Sequence, residues 1–309
     1  MKIYKAMLLG MILLLFSQYT FAEITPTNVY TKLFLIKEEI EMLKRYFNIN
    51  QERRPFTIHT AVEPHHVWQQ TYTILFKINI LRRKHGLPML AVSSLEPSKN
   101  PVPQVVYEQA LRILTELRIL KEHLGITLEL FPPPEFKNKT KTDNFNLSNY
   151  ISYQLDLLNG VYFEPNHVFA QAIRISEDID TLLDVLEIKH DTIPPPKQED
   201  AMPSDAFDEG LAILAEIKRI NDNIEFQTID FNAIKPDDKN QITPSEVFVL
   251  TSIILAELQP LKSHLDLKYT LTPMAQRYSN KIPGDTKQIL GWSLRKIQLI
   301  KDINSHKNK

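Results

Sequence analysis

The sequence predicts an all-α protein made of stacked copies of one long amphipathic helix, each followed by an extended connector, as a solenoid-like stack or helical bundle array. Three observations carry this. A five-residue pattern, Pro-x-x-Val-aromatic, recurs along the chain. Each copy opens a run of apolar residues at helical spacing. Between the runs lie proline-containing stretches that do not continue the helix.

The pattern occurs six times. Its residues are Pro26, Val29 and Tyr30; Pro64, Val67 and Trp68; Pro103, Val106 and Tyr107; Pro165, Val168 and Phe169; Pro203, Ala206 and Phe207; and Pro244, Val247 and Phe248. Successive prolines lie 38, 39, 62, 38 and 41 residues apart, and a degenerate seventh copy starts at Pro283, 39 residues further on. Proline suits the first helical position, where its missing N–H has no partner to lose. Thr25 and Thr243 are placed to cap two of these helices, and Thr243 with Glu246 spells a capping box. Glu63 and Glu164 put negative charge at the positive end of two more.

After each proline the apolar residues fall at +3, +7, +10, +14, +17 and often +21. In the fourth copy they are Val168, Ala172, Ile175, Ile179, Leu182 and Leu186. Steps of four and three put them on one stripe with a period near 3.5, so neighbouring helices should pack at shallow angles. The +7 position is mostly small, which suggests close approach of a neighbouring helix. The +4 aromatic, one step off the stripe, reads as a wedge between adjacent units. Helices are expected near 28–47, 65–86, 104–125, 166–188, 204–224, 245–267 and 286–304. Burying six stripe residues at ~1.5–3 kcal/mol each gives on the order of 10 kcal/mol per helix before entropy. A lone helix has nothing to bury that stripe against, so the units must stack.

The connectors contain alternating stretches such as Ile126-Thr-Leu-Glu-Leu. An extended segment of that length can run back along a ~33 Å helix, so every helix can point the same way. One interval is long. Residues 127–164 read as an insertion with a short helix from Ser148 to Leu158, ended by Gly160. Pro194 to Pro196 is the weakest candidate for a boundary between halves.

The N-terminus reads as an export signal. Lys2 and Lys5 precede the apolar run Met7–Phe16, and Thr20 and Ala22 form a small-residue cleavage site, leaving 23–309 as the repeat domain. The chain has no cysteine, so burial alone must hold it. These features fit a periplasmic or secreted bacterial protein. A formal charge of −1 gives no field for nucleic acid, and no later stretch is apolar enough to span a membrane.

No motif points to catalysis, and no cofactor is implied. Seven glycines leave no phosphate-binding loop, and neither a nucleophile elbow nor a Walker pattern is present. His65-His66 is the one tempting metal pair. Its second position is Asn28, Val105, His167, Asp205 and Glu246 in other copies, which makes it a usually polar helix-opening turn. No metal ligand is therefore assigned, and capture of a metal by His65, His66 and a third group stays as a testable alternative. The unit is longer than a tetratricopeptide repeat and resembles HEAT units in length only. The expectation is a non-catalytic periplasmic scaffold that binds a protein or peptide. The alternative is a sensor or accessory domain holding a small molecule between helices near 127–164.

Overall fold

A computed structural model describes residues 23–51, 57–60, 62–90, 103–160, 165–230, 240, 242–267 and 278–304, so the signal-like stretch 1–22 lies outside the described residues. It is all-helical. Among the described residues there are eight helices: α1 (Pro26–Tyr46), α2 (Pro64–Lys84), α3 (Pro103–His123), α4 (Lys141–Asn159), α5 (Pro165–Val185), α6 (Pro203–Asp222), α7 (Pro244–His264) and α8 (Pro283–Ile297). None is long and apolar enough to cross a membrane.

Seven of the eight begin on the repeat proline itself, one to three residues before the expected starts. Their stops are equally regular. The residue at +22 adopts the left-handed conformation in six helices: Asn48, Gly86, Gly125, Glu187, Glu225 and Asp266. The next N–H turns back to the +18 carbonyl, as from Ile49 to Lys44 at 2.8 Å and from Ile188 to Leu183 at 2.9 Å. This is the Schellman arrangement, with an apolar residue directly after the left-handed one. The copy at Pro283 is a helix of 15 residues, ending at Ile297 rather than near 304.

The stretch 127–164 is not an insertion. Its described part, 127–160, holds a return segment followed by α4, a 19-residue helix that starts at Lys141, seven residues before Ser148. Thr140 caps it, accepting from the Asp143 backbone N–H, and Gly160 ends it with φ 67°. Lys141 stands 38 residues after Pro103, where the next proline belongs. Counted from Lys141, the +4 aromatic is Phe145, the small +7 is Ser148, and Ile151, Leu155 and Leu158 continue the stripe, all of them buried. The odd step in the chain is instead the short one, 24 residues from Lys141 to Pro165.

That short step divides the molecule into two four-helix bundles, well away from Pro194–Pro196. In the first, α1 and α2 each pack against α3 and α4 and lie across a diagonal; in the second, α5 and α6 do the same with α7 and α8. The four openings of each bundle meet at one end. Pro26, Val29, Pro64, Val67, Pro103, Val106, Lys141 and Asn144 line one depression, and Pro165, Val168, Pro203, Ala206, Pro244, Val247, Pro283 and Thr286 line the other. All four helices of a bundle are therefore parallel. The small +7 residue allows the close approach: a Cβ on Gly210 would sit 2.7 Å from Leu250 Cδ2.

Parallel helices require long returns, and the connectors supply them. After α3 the chain runs back up α1 and α3: Lys121 Nζ donates to the Leu128 carbonyl, and Phe136 then packs on the Tyr30 ring at 4.9 Å. After α5 it climbs α8, where Trp292 Nε1 donates to the Thr192 carbonyl and Gln288 to that of Pro195. The two bundles are copies of one design. Lys139 lies over Tyr30 and its N–H reaches Thr27; Lys281 lies over Phe169 and its N–H reaches Asn166.

Candidate functional site

The stripe residues of the repeat signature are buried in the two cores and line the two depressions; of the +4 residues Trp68, Phe169 and Phe207 are buried, while Tyr30, Tyr107 and Phe248 are only partly so. The polar chemistry sits at positions the stripe analysis left unread, +13 and +18. Lys121 at +18 of α3 reaches Glu39 at +13 of α1 at 2.6 Å. Arg82 at +18 of α2 reaches Glu116 at +13 of α3 at 2.7 Å, and Lys262 at +18 of α7 reaches Asp178 at +13 of α5 at 2.8 Å. The signal was present as a fixed offset, but acids and bases on a predicted helix default to its solvated face.

A second set uses lysine at +13. Lys77 donates to Ser152 Oγ at 2.7 Å and to Asp156 at 2.7 Å; Lys296 does the same with Ser176 at 2.8 Å and Asp180 at 2.6 Å. Burial pushes the Lys77 ammonium below its ordinary value, and the Asp156 carboxylate opposes that shift. Buried pairs of this kind add little net stability, because desolvation offsets attraction; breaking one is costly. Their clearest use here is register, since each fixes the axial height of two parallel helices.

One buried +13 carboxylate leaves the scheme. Asn221 stands at +18 of α6, where the first bundle has Arg82, so Glu257 at +13 of α7 has no arginine to meet. It turns instead toward the other bundle, at the contact between α2 and α7. There Glu257 Oε1 accepts from His66 Nε2 at 2.8 Å and from the Ile229 N–H at 2.9 Å. Nearby, Gln259 donates to Gln69 at 2.9 Å, and Lys77 lies 5.2 Å from the Phe248 ring. Early residues of α2 thus meet late residues of α7 and the reverse, so the two bundles point in opposite directions. Each bundle aligns four helix dipoles, and antiparallel docking sets the two sums against each other.

His65 completes the cluster, its ring 4.0 Å from that of His66 and 5.6 Å from Phe226. The three side chains are 4 %, 1 % and 0 % exposed for His65, His66 and Glu257. One ligand atom from each lies within 4.8 Å of the others. His66 Nδ1 accepts the Glu63 N–H at 3.0 Å, which places its proton on Nε2, facing Glu257. Burial, with His66 and Lys141 adjacent, holds the His65 imidazole well below its ordinary pKa and therefore neutral. Two buried atoms of the cluster have no hydrogen-bond partner among the described residues, His65 Nε2 and Glu257 Oε2. The helix-opening turn explains why His65 and His66 are polar, but not why a carboxylate from another bundle meets them. No protein-family profile, curated protein or solved structure matches this chain.

Proposed function

We propose that the protein is an exported, non-catalytic scaffold that engages a protein or peptide partner in the periplasm through its return segments. The observation that supports this is Phe131, 91 % exposed, standing directly before Pro132-Pro133-Pro134. The second bundle repeats the device with Ile193, 71 % exposed, before Pro194-Pro195-Pro196. A large apolar side chain in solvent beside a stiff proline run has its conformational entropy already reduced, which favours docking into an aromatic-lined groove. Leu128 extends the first strip. Export rests on the N-terminal signal pattern. The rival reading places a small molecule between helices near 127–164; the described part of that stretch, 127–160, is a return segment and a regular bundle helix.

A photo-crosslinking residue at position 131 tests the proposal in the producing cell. The reading predicts one discrete adduct that disappears when the label is moved to Glu122, on the exposed end of α3, and that an unlabelled Phe131→Glu chain fails to compete away. Equal labelling from both positions, or full competition by Phe131→Glu, contradicts it. The same adduct in periplasmic but not cytoplasmic fractions checks the location.

A further inference from the structure

We propose that His65, His66 and Glu257 form a binding site for one first-row divalent cation, with Zn²⁺ as its best occupant, that joins the two bundles. Three independent features meet here. The donor set is two imidazoles and one carboxylate, a ligand combination that holds zinc with one position left for water or a further ligand. Two of its donor atoms, His65 Nε2 and Glu257 Oε2, are buried and unsatisfied. Such atoms cost free energy unless something fills the space between them. Finally, the site holds a fully buried carboxylate, the arginine that its register position would meet is replaced by Asn221, and among the described residues no arginine or lysine forms an ion pair with it. A dication supplies that charge.

The coordination is accessible with small movements. The donor atoms lie within 4.8 Å of one another, and tetrahedral zinc at ~2.0–2.1 Å from each ligand holds them roughly 3.3 Å apart. His66 must release its Nε2 proton to the metal's benefit. Its Nδ1 then carries the proton and donates to the Glu63 carbonyl, 3.3 Å away, giving up the bond it accepts from the Glu63 N–H. The backbone carbonyl becomes the outer partner that orients a ligating histidine. His65 gives up no hydrogen bond at Nε2, which is buried and has no partner among the described residues.

Because α2 and α7 belong to different bundles, the ion ties together the two halves of the molecule. The test uses the intact mature chain, stripped of metal by chelation and titrated with Zn²⁺ by calorimetry. The expected result is one equivalent bound, with a rise in melting temperature. Co²⁺ bound in its place should give the visible bands of a low-coordinate nitrogen and oxygen site. His65→Gln and Glu257→Gln should each weaken Zn²⁺ at least tenfold, as loss of a direct ligand must exceed the 10–100-fold typical of outer-sphere changes. His123→Gln, whose ring meets the His85 carbonyl at the far end of α3, should bind as the parent does. A parent chain that takes up no stoichiometric Zn²⁺ overturns the proposal. Equal binding by all variants overturns it as well, as adventitious surface binding. The parent titration decides even where a variant fails to fold.

Discussion

Glu257 and Asn221 show how one residue in a repeated register redirects another. At Glu116 the same +13 carboxylate is held inside its bundle by Arg82; with asparagine at the matching +18, Glu257 is available to the histidines of the other bundle. The Lys262–Asp178 pair tests the register role of the remaining ions. Lys262→Met alone should cost about 3–5 kcal/mol, because it breaks a buried ion pair by removing one partner. Lys262→Met with Asp178→Leu should recover most of that in urea denaturation; a double variant as unstable as the single would mean that the pair does not act as a unit. Gly284 marks a different constraint. A Cβ there would fall 1.9 Å from the Gln198 carbonyl oxygen, which belongs to the return segment pressed on α8. Gly284→Ala should therefore destabilise by about 1–3 kcal/mol, despite alanine's better helix propensity. An unchanged urea midpoint would show that the segment yields.

At the scale of the helix, start and stop signals are written at fixed offsets, and this is where the sequence was most readable. The proline, the stripe and the small +7 each identified a real helix. The helix they left out of the array was α4, legible only as a short helix over 148–158, because Lys141 and Asn144 replace the proline and valine, and because an interval of 62 residues suggests an addition more readily than an ordinary step of 38 plus a short one. The capping chemistry of α4 and α8 shows their equivalence. Burial opposes ionisation of Asp143, but the Thr140 backbone N–H and hydroxyl, with Lys139, outweigh it and hold its carboxyl below the ordinary value. Asp285 behaves alike, with the Ile282 N–H and Lys197 prevailing over burial. A carboxyl whose folded pKa is depressed contributes stability above its unfolded value of about 3.9 and loses it as pH falls through the folded value. Asp143→Asn and Asp285→Asn should thus lower the melting temperature at pH 7 and leave it close to the parent's well below pH 3; a constant offset across that range would refute the account. The stops make a separate prediction. Glu187 holds φ 58°, a region that costs a non-glycine residue about 1–2 kcal/mol. Glu187→Gly should stabilise by up to about 1 kcal/mol, read as a higher urea midpoint, and a lower one would mean that glycine's unfolded-state entropy dominates.

For the whole molecule, the sequence indicated stacked equivalent units and, from the connector lengths, a lean toward parallel helices. It did not show that the stack closes twice, as two bundles of four. Closure depends on the five-residue step between Asn159 and Pro165, too short for a return along a helix, and that step was hidden inside the long interval. The buried ions and the carboxylate of the His65–His66–Glu257 cluster were hidden for another reason: each joins residues 34 to 191 positions apart, and only the docking of helices brings them together. Parallel helices with external returns are the claim from which the rest follows. The chain has no native cysteine, so spin labels can be placed at will. Lys32 lies 5.6 Å from the Tyr107 ring, one residue before Glu108. Labels on Lys32→Cys and Glu108→Cys should give a short distance by pulsed electron resonance. Labels on Lys32→Cys and Glu122→Cys, 14 residues further along α3 and so ~21 Å along its axis, should give one at least about 10 Å longer. The reverse order of the two distances would place α1 and α3 antiparallel and contradict the architecture.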